Sequence, residues 1–354
     1  VSARTVRIAA TGDVVLTRAA ADCAPDAAVD ELADLLGTAD VVLSSLEIAF
    51  SDRGVPSDRI LNFRAAPALL PELHRFHISV ATLANNHSSD YGWPAVADTV
   101  HGLAAEGITP LGAGPDLAAA ERPHVVEVAG RRIGFLAWSC LLPLGVAAGP
   151  ARPGIAPIHI RTEWEVDGEF QLEEPGVPPR IRTSPRPDDL ERALAAVRAL
   201  REQVDTLVVT VHWGFGFGQD RAEYQQPLGR AFIDAGADAV IGHHVHAPQG
   251  VEVYRGRPIV YSPGNFVAQQ PREGVSPEVL AICDAMSRDA FVSLLTVEPD
   301  GRLGLELVPV RGNDDGLPGI APEPERRRIA DHLVAASAGL QTGVSVRDGR
   351  VQVL

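Results

Sequence analysis

Lysine is absent from all 354 residues, so each of the 31 basic side chains is an arginine. Without a lysine amine, no Schiff base to pyridoxal phosphate or to a carbonyl substrate can form, and no phosphate-loop lysine exists. Cysteine occurs three times, as Cys23, Cys140 and Cys283, far apart and odd in number. That spacing gives neither a disulfide framework nor a Cys-x-x-Cys metal site. Long apolar runs are missing as well: no signal peptide, lipidation motif or spanning segment is visible, and the chain enters a strand almost at once. A cytoplasmic protein is the resulting expectation, with no membrane partner. Positive charge is scarce, with a net formal charge of −15 and only short basic runs such as Arg326-Arg327-Arg328. Nucleic acid and anionic membrane surfaces are therefore excluded as expected partners.

What is present is the make-up of a globular protein, 45% apolar and 22% charged, abundant in Ala, Gly, Pro and Arg as GC-rich coding would give. Strand and helix alternate through the first half. Apolar runs at 6–10, 40–43 and 79–83 read as strands, and the stretches 30–36, 67–76 and 93–106 read as helices, the last capped by Gly107. A hairpin is expected at 125–128 and 133–137, turning at Gly130. Residues 143–187 break the rhythm: this Pro- and Gly-rich stretch has no clear period and is expected to be an irregular pocket wall or lid. The alternation then resumes with a helix at 188–202, a strand at 206–211, a helix at 224–235 and a strand at 237–241. A hairpin (250–254, 258–261), two strands (291–297, 303–310) and a helix at 323–336 follow. The expectation is an α/β chain forming one domain over 1–354, with 143–187 as an insertion.

The chemistry gathers at the strand ends. Five residues, Gly242-His243-His244-Val245-His246, hold three of the eleven histidines, just after the strand at 237–241. A second strand ends in His212-Trp213-Gly214. Loops just past strands are exposed yet rigidly held, which is where α/β proteins present ligands. The full series is Asp13, Glu47, Asn86 with His87, His212, then His244 and His246. Oxygen and imidazole donors without thiolates suit divalent Mn, Fe, Zn or Ca. If His244-Val245-His246 is extended, both imidazoles point to one side and His243 points away, as a group supporting the ligands.

The ordered motifs Gly-Asp, Leu-Glu, Ala-Asn-Asn-His-x-x-Asp-Tyr-Gly, His-Trp-Gly, Gly-His-His-x-His and Tyr-Ser-x-Gly-Asn-Phe run from Ile8 to about Phe266. In this order they resemble the CapA-like branch of the calcineurin-like metallophosphatase superfamily. The resemblance implies an α/β/β/α sandwich with a two-metal centre at one edge. It implies Asp13, Glu47, Asn86, His212, His244 and His246 as metal ligands, with Glu47 bridging. It makes His87 the acid/base histidine, oriented by Asp90, and leaves His243 and Asn265 as supporting or proton-transfer groups. The chain departs from the pattern at several places. Asp13 is followed by Val14-Val15 where phosphoesterases of the superfamily carry Asp-x-His. Ser45 replaces an asparagine before Leu46-Glu47, Phe215-Gly216-Phe217-Gly218 lacks a glutamate, and Pro263 replaces a leucine.

Three reactions compete on this reading. Phosphoester hydrolysis would use two metals to activate water and hold a phosphate. A role in poly-γ-glutamate synthesis is the one that names the branch. The third is epimerisation, since the chain is similar to soluble CapA-like epimerases of lasso-peptide pathways that invert the C-terminal residue of a ribosomal precursor. The last is the favoured expectation, with a peptide as substrate. With no lysine and only scattered cysteines, a metal with an acid/base pair is the remaining route to inversion at a Cα. The segment 143–187, with Trp213, Phe215 and Phe217, is expected either to line the peptide groove or, for the aromatics, to pack in the core. A non-catalytic peptide binder on the same scaffold is the remaining alternative.

Overall fold

A computed structural model describes residues 4–353 except 167, 175, 217, 219 and 273. Its centre is two sheets packed face to face. The larger, ten-stranded sheet has as its middle the first strand, Val6–Val15, flanked by Val41–Leu46 on one side and by Asp289–Val297 on the other. Val80–Thr82 and Thr109–Leu111 extend the parallel half, while Leu303–Gly312 and the hairpin Val344–Arg347/Arg350–Val353 extend the antiparallel half. The six-stranded sheet carries Arg131–Ser139, Thr206–His212, Ala239–His243 and Arg257–Val260 in parallel, with one antiparallel strand at each edge.

Side-chain alternation explains the layering, because successive residues of a strand face opposite sides. Ile8, Ala10, Val41, Leu43 and Val80 meet Phe135, Ala137, Val208, Ala239 and Ile241 in the gap between the sheets. Ala9 and Val42 face outward onto Ala27–Leu36, Pro67–Phe76 and Trp93–Ala105, through Leu32, Leu73 and Leu103. Val209, Val211 and Val240 face the other way, onto Val197, Leu228 and Phe232 of Pro187–Arg201 and Gln225–Asp234. Strands buried on both faces read as near-continuous apolar runs, as these do. The expected α/β/β/α sandwich is the architecture found.

Some local expectations need correction. The helix expected at 67–76 is present, as a 3-10 helix, with Pro71 removing an interior donor. Residues 143–187 are irregular only in part: Ile160–Glu165 and Arg180–Pro185 pair as an antiparallel hairpin that projects from the body. Its charged and apolar residues alternate, a period masked in sequence by the surrounding prolines. The C-terminal hairpin at 344–353 was not anticipated either.

Candidate metal centre

The carboxyl ends of the parallel strands of both sheets open on one edge, where open α/β sheets bind ligands. The first strand brings Asp13 there through two irregularities. Its register slips between Ala10 and Asp13 against Val41–Leu46, and between Asp13 and Val14 against Asn265–Ala268. Such bulges re-aim a side chain. A close approach makes the second pairing possible: Asp13 N donates to Gly264 O at 3.2 Å, and a Cβ on Gly12 would stand 1.8 Å from that same oxygen. Gly12 is therefore required for Asn265 to lie beside the site.

Glu47 follows directly after its strand, fully buried. His212 is the last residue of Thr206–His212 and faces into the gap between sheets; its Nε2 lies 2.7 Å from Asn86 Oδ1 and 2.9 Å from Glu47 Oε1. Glu47 and His212 with His244 form one group of donors within 4.8 Å of one another, and Asp13, Glu47 and His246 form another. Glu47 belongs to both. The structure thus brings together Asp13, Glu47, Asn86, His212, His244 and His246.

The route of the two last histidines differs from the expectation. The strand ends at His243, and residues 244 and 246 are not extended: both take positive φ, 97° and 57°. Convergence comes from a bent backbone, an arrangement that costs about 1–3 kcal/mol per residue in non-glycine positions. Asp13 Oδ2 holds the bend by accepting from the His244 amide at 3.0 Å. His246 Nδ1 faces Asn265 Oδ1 at 2.8 Å, and its Nε2 is 3.7 Å from Glu47 Oε2. An Nδ1–H donated to the asparagine leaves the Nε2 lone pair facing Glu47.

His243 takes a different place. It faces into the gap between the sheets, donating from Nε2 to Thr11 O across the gap at 3.0 Å, with Nδ1 3.2 Å from Thr210 Oγ1. Both ring nitrogens are engaged, so its expected part in proton transfer has no free atom behind it; it links the two sheets. Burial, with His212 beside it, brings its pKa down to about 4 and keeps it neutral.

His87 stands at the mouth. Its Nδ1 is 2.8 Å from Asp90 Oδ2, and Phe63 packs on its ring with centroids 4.6 Å apart. Asp90 is fully buried and accepts further bonds from Arg59 Nη1 at 2.6 Å and the Phe63 amide at 2.8 Å. With Nδ1–H pinned, Nε2 is the atom left for chemistry. Arg59, Ser57 and Phe63 were missed in sequence because the stretch around them has no period; the only signal was its position before the Asn-His motif.

Several buried atoms in the ring lack hydrogen-bond partners among the described residues: Asp13 Oδ1, both oxygens of Glu47, and Nδ1 of His212 and His244. The 2.9 Å approach of Glu47 Oε1 to His212 lacks hydrogen-bond alignment. Each such atom costs about 1–3 kcal/mol when desolvated and unpaired. The charge state points the same way. Burial and the Glu47 charge push Asp13 well above the usual carboxylate range. Burial also raises Glu47, but His246 and His212 outweigh it and hold it below its ordinary value. Burial drives His212 and His244 down, towards neutral imidazoles. A buried carboxylate and a second carboxyl whose ionisation only a nearby positive charge would favour, set among neutral imidazoles with unpaired atoms converging, fit a divalent cation.

The family description "Bacterial capsule synthesis protein PGA_cap" matches residues 7–270. The chain belongs to this family. It is 35% identical over 244 residues to a Mycobacterium tuberculosis protein named "Probable polyglutamine synthesis accessory protein", covering 67% of this chain and 58% of that one. The PGA biosynthesis protein CapA of Bacillus subtilis is 29% identical over 215 residues, covering 60% of this chain and 49% of its own. The chain thus spans about half the length of these curated relatives. Among solved structures, Haemophilus influenzae NAD nucleotidase aligns over 94% of this chain and 62% of its own, at 13% identity and a TM-score of 0.41. The PGA_cap match spans every residue of the ring and stops before the strands at 289–312 that complete the larger sheet. No helix among the described residues is long and apolar enough to cross a membrane.

The expected groove aromatics divide. Trp213 is fully buried, donating to Tyr261 O at 2.9 Å, and belongs to the core. Phe215 is 58% exposed, and Phe217 lies outside the described residues. The hairpin of 160–185 reaches the loop after His212 through Arg182 and the Thr183 amide, both bonded to Glu223. It stands as a wall beside that loop.

Proposed function

We propose that this chain is a metal-dependent peptide epimerase that inverts the Cα of a residue, the C-terminal one of a ribosomal lasso-peptide precursor in the fullest form of the reading. The observation that carries it is the pairing of a buried oxygen-and-imidazole ring with the His87–Asp90 dyad at its mouth. The ring has one fewer imidazole than a phosphoesterase centre, because Asp13 is followed by buried Val14 and Val15.

Asp13, Glu47, Asn86, His212, His244 and His246 would hold one or two divalent ions, with Glu47 shared. When bound, such an ion supplies a positive charge that stabilises a negative oxygen on the substrate. The remaining work falls to this chain's own groups. His87 Nε2 takes the α-proton; the Cα–H electron pair moves onto the neighbouring carbonyl oxygen, giving an enolate. A proton delivered from solvent to the opposite face re-forms the Cα–H bond with inverted configuration, and His87 gives its proton up to solvent, so the formula is unchanged. Asp90 fixes the imidazole's tautomer and supports the charge it gains. Thiol chemistry is disfavoured, since burial drives the Cys140 thiol up.

The test incubates the metal-loaded protein with candidate peptides in deuterium oxide. One deuterium at a Cα, with inverted configuration, supports epimerisation. Phosphate release from an aryl phosphate with no exchange into any peptide sinks it. Family membership favours a second reading, a part in poly-glutamate synthesis or processing. A change in length of a poly-γ-glutamate chain on incubation would select it.

A further inference from the structure

We infer that Arg59 is the oxyanion-recognising residue of this centre, orienting a substrate carboxylate or phosphate against the metal ring through the free edge of its guanidinium. The inference rests on the metal-centre reading and adds to it a substrate feature, an anionic group next to the reacting atom.

The guanidinium is built into place. Nη1 donates to the main-chain oxygen of Asn86 at 2.5 Å and to Asp90 Oδ1 at 2.6 Å. Asn86 is the residue whose side chain meets His212, so the guanidinium bonds to the main chain of a ring member. The loop carrying it is clamped to the same turn. Ser57 donates to Asp90 O from its amide at 2.7 Å and its hydroxyl at 2.8 Å, and Asn62 Nδ2 donates to the Ser57 and Arg59 carbonyls at 3.0 and 3.3 Å. A side chain held by such a shell loses little freedom on meeting a ligand.

Only one edge of the fork is used. Nη1 spends both of its hydrogens on Asn86 and Asp90, while Nε and Nη2 have no partner among the described residues; the side chain remains 24% exposed. An arginine offers a planar fork that matches a carboxylate or phosphate bidentately. No other arginine hydrogen-bonds to any member of the ring or of the His87–Asp90 dyad among the described residues. Asp90 neutralises the guanidinium only along its Nη1 edge, so an arriving oxyanion meets three unspent donors. Ile60, next along, is exposed and offers an apolar flank to whatever carries the anion.

Carboxylate and phosphate share this chemistry, and the test separates them. Calorimetric titration of manganese-loaded protein uses N-acetylglycine, N-acetylglycinamide and inorganic phosphate as probes. The wild-type protein is expected to bind the acid at least about tenfold more tightly than the amide, as hydrogen bonds to a charged group allow. Arg59→Ala should abolish that preference, and Arg59→Lys should restore part of it. Metal content and unfolding midpoint, measured on each variant, should be unchanged in Arg59→Lys. An Arg59-dependent preference for phosphate, with none for the acid, supports the inference and assigns a phosphate substrate. Equal affinities of wild type and Arg59→Ala for both anions overturn it. Anion binding is read without turnover, so an absence of deuterium exchange removes the epimerase reading and leaves this result standing.

Discussion

Two halves of one site obey opposite rules. The turn at 86–90 and the loop at 57–63 satisfy one another: Asp90 alone receives bonds from His87, Arg59, Ser57 and Phe63. A few ångströms on, the ring of Asp13, Glu47, His212 and His244 leaves buried oxygens and nitrogens unmatched. The first half is finished by protein alone. The second is complete only with a guest of positive charge. The difference separates two jobs: holding one imidazole in a fixed tautomer, and keeping donors aimed at the place of a cation.

Substitutions at the two halves should therefore fail differently. Asp90→Asn is expected to lower turnover about 10²–10⁴-fold, the range for a misdirected acid/base group, with metal content by elemental analysis unchanged. Loss of bound metal in that variant would mean the two halves are one unit. Glu47→Gln should weaken metal binding by about 10²-fold or more, as removal of a shared anionic ligand does. The metal-free form should be no less stable in denaturant, because a buried charge has gone. Saturating metal should raise the wild-type unfolding midpoint, since binding at 100 times Kd contributes about 2.7 kcal/mol. A chelator should reverse the rise, and Glu47→Gln should show little of it. His243→Leu is expected to cost about 1–2 kcal/mol by leaving Thr11 O unpaired, with metal content intact. A variant that lost its metal would place His243 within the ring.

Much of the ring was legible in sequence because each member ends an apolar strand run, and strand ends are conspicuous in a one-dimensional pattern. His212 and Glu47 are examples. The backbone at His244 and His246 was misjudged for a physical reason. Alternation holds only while the backbone is extended, and the chain leaves the strand after His243, where φ becomes positive. Arg59 was invisible because its position depends on Ser57, Asn62 and Asp90 meeting in space, and no period marks such a loop. For Trp213 groove and core stood open alike, because it follows a ligand yet adjoins an apolar strand. Its burial is decided by Gly242, where a Cβ would lie 2.1 Å from the indole nitrogen.

The positive φ values at His244 and His246 have a consequence for how this chain balances durability against use. Left-handed backbone suits glycine, which adopts it without steric cost. Replacing His244 with glycine would relieve strain and remove an imidazole whose buried Nδ1 is unpaired among the described residues. The metal-free variant should then outlast the natural protein on heating while taking up less metal. Stability alone gives no reason for two imidazoles in strained backbone, and their place among the donors of the ring does.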